Sequence, residues 1–243
     1  MKTVIITGSN GGIGQALCEA FTKKNYYVIG VDLHKKSISS ANTYLCIDLN
    51  KVCNDSNYRN QSILNLLSAC GNKLDILINN AAIQVVAPIE KMSVEEWSNT
   101  ININLSSIFI LIKKLLPALE STNGSVINIS SIHSKLTKAD FSAYATSKAA
   151  LIGLTKAFSV ELGSKIKINA ISPAAISTPM LESGFEGNIE ARKKLDHYHP
   201  SGNIGSVEDV VSAALYLSNG SNFLNGSIIN IDGGISSKLH DPT

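Results

Sequence analysis

The sequence predicts an α/β fold, a single doubly wound parallel sheet with helices on both faces. Short β-branched runs alternate with longer stretches of helical periodicity along the whole chain, the signature of strand–helix units that build a parallel sheet. The first run, Val4-Ile5-Ile6, leads directly into the glycine-rich stretch TGSNGGIG, Thr7 to Gly14. With 243 residues, 44% of them hydrophobic and 16% charged, the chain has enough apolar material for one core, so residues 1–243 are expected to form one domain.

The strands are expected at Thr3–Thr7, Tyr27–Val31, Tyr44–Ile47, Ile76–Asn79, Ser125–Ser130, Lys167–Ile171 and Ser227–Ile231. After the first strand, Ile13, Leu17, Ala20 and Phe21 recur at helical spacing and place a helix whose N-terminus abuts the glycine loop. Free main-chain N–H groups and the positive end of the helix dipole at such a junction suit a pyrophosphate. Glycine lets the phosphates approach the backbone. The glycines fit two spacings, Gly8-Gly12-Gly14 and Gly8-Gly11-Gly14, and the loop alone does not choose between them.

Asp32 ends the second strand, 18 positions after Gly14. An acidic side chain at an offset of about 20 residues accepts hydrogen bonds from the adenosine ribose and repels a 2′-phosphate. NAD(H) is therefore favoured; NADP(H) is not excluded, since His34, Lys35 and Lys36 follow and could serve a phosphate. The longest break in strand–helix alternation, residues 180–206, is expected to be a substrate lid or a surface excursion.

The formal net charge of +2 comes without a long lysine or arginine block, so no nucleic-acid or polybasic membrane surface is expected. Cys18, Cys46, Cys53 and Cys70 contain no C-x-x-C pair and match no zinc spacing, so no metal site is expected and the thiols read as reduced. No secretory leader is read at the N-terminus, and the apolar stretches are interrupted before the ~18 residues a bilayer span needs. A cytoplasmic protein is expected.

Tyr144 and Lys148 stand four apart in a segment of helical periodicity, which puts phenol and ammonium on one helix face. A nearby positive charge favours phenolate, and such a phenol can exchange a proton with an alcohol or ketone oxygen. Thirteen positions upstream of Tyr144, Ser131 ends the strand SVINISS. Its hydroxyl would emerge at the carboxyl edge of the sheet, where open α/β sheets bind ligands.

Taken in order, TGSNGGIG, Asp32, Asp48-Leu49, NNAA (Asn79 to Ala82), Trp97 followed by Asn104, Ser131, Tyr144-Lys148, NAISPAAIST and IDGG resemble the short-chain dehydrogenase/reductase family of the compact, single-domain, Rossmann-type architecture. The resemblance spans Lys2 to about Gly234 and selects the Gly8-Gly12-Gly14 spacing. It implies an oxidoreductase that moves hydride between nicotinamide and a secondary alcohol or ketone. Tyr144 would be the general acid/base, Ser131 would orient the substrate oxygen, and Lys148 would lower the Tyr144 pKa and hold the nicotinamide ribose. Asn104 would hold a water that links Lys148 to solvent.

The same resemblance implies that Gly8, Ser9, Asn10, Gly12, Ile13 and Gly14 cradle the pyrophosphate and Asp32 and Leu33 meet the adenosine ribose. It places Asp48 and Leu49 at the adenine, Asn80, Ala81 and Ala82 along the adenosine side, and Pro173, Ala174, Ile176 and Thr178 at the nicotinamide. Ala82 and Ala174 stand where the family usually has glycine, and a methyl there is tolerated only if φ is negative. His133, two residues after Ser131, is a candidate substrate contact or a partner within its own loop. The family is commonly oligomeric, so a homotetramer or homodimer is expected. One rival reading is a catalytically silent nucleotide-binding or scaffold protein of the same fold. Another is a nucleotide-sugar epimerase or dehydratase of the extended branch, whose extra C-terminal substrate domain is not expected here.

Overall fold

In the computed structural model, which describes residues 1–185, 188–221 and 223–239, all seven expected strands form. They are β1 (Thr3–Thr7), β2 (Tyr27–Asp32), β3 (Thr43–Cys46), β4 (Ile76–Asn79), β5 (Ser125–Ile129), β6 (Lys167–Pro173) and β7 (Ile228–Ile231). Every pairing is parallel and the order is β3-β2-β1-β4-β5-β6-β7. The order reverses at β1, so the loops leaving β1 and β4 diverge and open a crevice at the carboxyl edge. β6 runs two residues beyond expectation because Ser172 and Pro173 continue in register with Asn230 and Ile231 of β7.

Alternation along the strands builds two cores. Val4 and Ile6 face one layer with Leu17, Cys18 and Phe21 of α1 (Gly12–Lys23) and Val210 and Ala214 of α9 (Val207–Asn219). Ile5 and Leu77 face the other layer, with residues of α3 (Ser56–Ala69), α5 (Ser107–Glu120) and α6 (Ser142–Glu161). Each fully buried aliphatic side chain contributes about 1.5–3 kcal/mol. The remaining helices are α2 (Leu49–Asn54), α4 (Val94–Ile101), α7 (Pro179–Ser183) and α8 (Ile189–Tyr198). A π turn, Asn102–Ser106, joins α4 to α5.

This joined helical run, Val94–Glu120, is 27 residues long and apolar enough to cross a membrane by length and composition. Polar residues punctuate the run at helical spacing, so they interrupt the sequence without interrupting the apolar face. That face, with Ile108, Leu111, Ile112 and Leu115, packs into the core.

The excursion over residues 180–206 carries α7 and α8, with residues 186 and 187 outside the described set. Its base is tied shut by the Ile176–Gly205 bridge and by mutual main-chain bonds, Ser177 N–H to Gly205 C=O and Gly205 N–H to Ala175 C=O. Within it, Arg192 bonds both Glu182 and Asp196, linking α7 to α8.

Candidate active site

The glycine loop is built by close approach. Gly8 has φ +66°, which favours glycine, and a Cβ there would lie 2.8 Å from the Ala81 Cα. A Cβ on Gly14 would sit 2.0 Å from the Gly8 carbonyl oxygen, so α1 begins in direct contact with the loop. Gly11 is the N-cap of α1 and meets only the Gly8 oxygen at 3.4 Å. Gly12 instead faces Thr178 and Pro179, whose side chains a Cβ would meet at 3.1 Å. The amides of Gly12, Ile13 and Gly14 open the helix without intrahelical acceptors.

β4 braces this loop from below. The Thr7 hydroxyl accepts from the N–H groups of Asn80 and Ala81, both at 3.0 Å. The Asn80 amide donates to the carbonyls of Thr7 and Gly8 at 3.0 and 3.1 Å. The Asn80 amide nitrogen thus supports the loop, a role its place in NNAA does not reveal. Ser9 is fully buried against Gly30, and its hydroxyl has no partner among the described residues. At the end of β2, Asp32 accepts from Asn10 N–H at 3.0 Å with one oxygen and from Leu33 N–H at 2.8 Å with the other. Asp48 caps α2, accepting from the N–H groups of Asn50 and Lys51, with Leu49 buried beside it. A glycine cradle that a Cβ would fill, open helix-start amides and a carboxylate ending β2 together fit a nicotinamide dinucleotide.

Pro173 ends β6, and Ala174 N–H continues the ladder to Ile231 C=O at 2.9 Å. Neither Ala82 nor Ala174 is among the non-glycine residues with positive φ, so the methyl groups in place of glycine carry no backbone strain. Ile176 is buried at the base of the excursion, and Thr178 caps α7 by accepting from Leu181 N–H at 3.3 Å. The excursion's first helix therefore starts against the phosphate-loop helix.

Ser131, Tyr144 and Lys148 come together at the carboxyl edge of β5. Ser131 sits in extended backbone and accepts from His133 N–H at 3.2 Å, and its hydroxyl is near enough to the Tyr144 phenol to draw the phenol pKa down. The neighbouring Ser130 hydroxyl is committed elsewhere, donating to Lys148 C=O at 3.1 Å. The Lys148 ammonium donates to Ile129 C=O at 2.8 Å and lies 5.7 Å from the centroid of the Tyr144 ring. α6 is thus clasped to β5 from both ends of the lysine.

The electrostatics correct one expectation. Burial pushes the Tyr144 phenol above its ordinary value, with the Ser131 hydrogen bond acting the other way. Tyr144 keeps a partly exposed edge, but surrounding protein atoms desolvate the phenolate more than one hydroxyl restores. The Lys148 ammonium does not offset this, because it points to Ile129 C=O and is itself desolvated, its pKa pushed down to about 8. The surroundings of the phenol in this structure thus favour its neutral form over the phenolate.

The Lys148 shift has a sign that stability measurements can read. Its folded value of about 8 lies below the ordinary 10.5, so between those values the unfolded chain binds the extra proton. Stability from this group therefore rises with pH above 8. Relative to Lys148→Met, the wild-type chain should gain about 2 kcal/mol in urea denaturation between pH 7 and pH 9.5, at ~1.4 kcal/mol per unit. The Cys18 and Cys53 thiols, both pushed up to about 11 by burial, act with the opposite sign and cancel in this comparison. A difference independent of pH would refute the buried ammonium.

Asn104 is fully buried in the π turn. Its carbonyl accepts from Ile83 N–H at 2.9 Å, and its amide donates to Ile83 C=O at 2.9 Å and to the Ser147 hydroxyl at 3.0 Å. Ser147 in turn donates to Tyr144 C=O at 2.7 Å. The Asn104 side chain thus joins the loop after β4 to the Tyr144 turn. A π turn is often found where a helix re-aims one residue into a site. Ser147 was missed by sequence reasoning, since a serine inside a helix carries no signal of its own. His133 stacks on Phe141 with ring centroids 4.5 Å apart, and its Nδ1 is bonded to the Thr137 hydroxyl at 2.9 Å. Burial, helped by Lys138, pushes its pKa down. This ring is held within its own loop, with its edge toward Tyr144. Among the described residues, no group of three His, Cys, Asp or Glu is placed to hold a metal.

Residues 8–236 match the family model described as enoyl-(acyl carrier protein) reductase. The 3-oxoacyl-[acyl-carrier-protein] reductase FabG of Chlamydia trachomatis is 32% identical over 97% of this chain and 97% of its own. The structure of 4-hydroxyisoleucine dehydrogenase complexed with NADH superposes with a TM-score of 0.87 at 30% identity, covering 98% of this chain and 100% of that one. That of ElxO with NADP bound gives 0.87 at 29% identity, covering 98% of this chain and 99% of that one. With a parallel sheet that reverses at β1, a glycine cradle at that switch point and serine, tyrosine and lysine gathered at its edge, the chain belongs to the short-chain dehydrogenase/reductase family of nicotinamide-dependent oxidoreductases.

Proposed function

We propose that this oxidoreductase interconverts a secondary alcohol and a ketone with Tyr144 as general acid/base. The observation that carries this is the meeting of the Ser131 hydroxyl and the Tyr144 phenol at the carboxyl edge, above a buried Lys148. Nicotinamide supplies or accepts the hydride when bound. In the reduction direction the protonated phenol delivers its proton to the substrate oxygen, and the Ser131 hydroxyl orients that oxygen. Lys148 is close enough to the Tyr144 ring to serve the nicotinamide ribose and the returning proton. Asn104 positions this machinery through Ile83 and Ser147.

NAD(H) is the preferred cofactor in this reading. Asp32 places a carboxylate at the end of β2, and Gly11 offers no cationic side chain from the phosphate loop. The excursion anchored at Ile176 and Gly205 acts as the substrate lid, with the remaining nicotinamide contacts at Pro173, Ala174 and Thr178. Turnover of a ketone panel with NADH and with NADPH tests activity and preference together. Ketone-dependent oxidation, at least tenfold more efficient with NADH, is expected. Oxidation of neither nucleotide across the panel would favour the silent nucleotide-binding alternative.

The apolar groove between α5 and α6, lined by Leu105, Phe109, Ala150, Gly153, Leu154 and Ala157, supports a homo-oligomer. Small residues on α6 let a partner helix approach closely. A mass measurement in solution should give a dimer or tetramer, and a monomer at micromolar concentration would overturn this. The four free cysteines, Cys18, Cys46, Cys53 and Cys70, support a reducing, cytoplasmic setting.

A further inference from the structure

The loop that follows β2, His34 to Ile38, is exposed and rich in cationic side chains, yet its main chain is tied down by one residue of the glycine loop. The Asn10 amide donates to Lys36 C=O at 2.9 Å and to the Tyr44 hydroxyl at 3.3 Å. Its carbonyl oxygen accepts from Ile38 N–H at 3.0 Å. Tyr44, on β3, donates its hydroxyl to His34 C=O. The thiol of Cys46 donates to Leu33 C=O at 3.3 Å. The main chain of Asn10 is bound as well, its N–H to Asp32 at 3.0 Å and its C=O to the Gln15 side chain at 2.8 Å.

Asn10 therefore joins three things at one point: the glycine loop, the Asp32 carboxylate and the lysine-bearing loop. Burial and the neighbouring Asp32 charge push the Tyr44 phenol pKa up, so it stays protonated and keeps its donor role in this clamp. Apart from the bond to Gln15, every hydrogen bond of Asn10 lies within this junction.

We propose that Asn10, with Tyr44, is a specificity-determining clamp that enforces discrimination against the 2′-phosphate. It does so by holding the His34–Ile38 main chain so that Lys35 and Lys36 cannot swing in to neutralise that phosphate beside Asp32. This rests on the reading of Asp32 as the NAD(H) determinant and adds a second requirement to it. A carboxylate repels the 2′-phosphate only while no cation compensates it, and a free loop with two lysines would supply that compensation. Cutting the clamp should therefore improve NADPH binding more than it alters NADH binding.

The test is equilibrium binding of NADH and NADPH to the full chain by calorimetry, for the wild type, Asn10→Ala and Tyr44→Phe. The ratio of the NADPH to the NADH dissociation constant should fall by about fivefold to tenfold in Asn10→Ala, the scale of the bonds to Lys36 and Ile38 that hold the loop main chain. It should fall by a smaller factor in Tyr44→Phe, which keeps the Asn10 bonds to Lys36 and Ile38. An unchanged or increased ratio in variants with wild-type circular dichroism overturns the clamp. A wild-type chain that binds NADPH as tightly as NADH overturns the Asp32 reading instead, whatever the variants do. If Asn10→Ala fails to fold, Tyr44→Phe decides alone, because its hydroxyl lies outside the glycine loop.

Discussion

Tyr144→Phe is expected to lower turnover by about a thousandfold or more while leaving NADH binding within about threefold of wild type. The substitution removes one oxygen from a ring whose position is set elsewhere, by the edge-on His133 ring and the Ser147 bond to the Tyr144 carbonyl. Losing a positioned general acid costs typically 10²–10⁴ in rate. Binding persists because the phosphate cradle, Asp32 and the β6 edge are untouched. Stopped-flow measurement of the hydride step, beside a fluorescence titration with NADH, separates the two. Turnover within tenfold of wild type would sink the assignment of Tyr144. Equal loss of turnover and NADH binding would instead assign the phenol to cofactor binding.

Gly14→Ala is expected to be the most damaging single change in the glycine loop, with a loss of about 3 kcal/mol or more in urea denaturation. Its Cβ would lie 2.0 Å from a backbone oxygen of Gly8, and backbone cannot move aside without separating α1 from β1. Gly12→Ala meets only side chains, Thr178 and Pro179, at 3.1 Å. It should fold but weaken NADH binding by about tenfold, since it displaces the base of the lid from a backbone meant to approach the phosphates. Gly11→Ala should stay within about 1 kcal/mol of wild type and bind NADH almost normally, because Gly11 is an extended N-cap with φ −71°. If Gly11→Ala harmed NADH binding more than Gly12→Ala, the Gly8-Gly11-Gly14 spacing would be the operative one.

Much of this was legible in the chain itself. The strands were readable because a parallel sheet covered on both faces needs continuous β-branched runs, and Val4-Ile5-Ile6 supplies both layers from one strand. The Tyr144–Lys148 pair was readable because four residues make about one helical turn. The family pattern was needed to single out Ser131, and the structure then shows why its neighbour is unsuited: Ser130 is spent on Lys148 C=O. Less visible was the run Val94–Glu120, which polar residues break up along the chain yet which delivers Ile108, Leu111, Ile112 and Leu115 to the core once it is helical.

The sequence by itself determined which chemical groups are present and in what local geometry: a strand feeding a glycine loop and helix, an acid ending β2, a phenol one turn from an ammonium. Local spacing settles these because they depend on neighbours within a few residues. Only the tertiary structure decided how they act on one another. Lys148 turns to Ile129 C=O, 19 positions back in the chain, and burial pushes the phenol pKa up where spacing alone suggested a lowered one. Asn104 reaches Ile83, 21 positions away, and Asn10 reaches Tyr44, 34 positions away. Desolvation and hydrogen bonding between distant segments exist only after the sheet has brought those segments to one edge, so they leave no periodic trace in the chain.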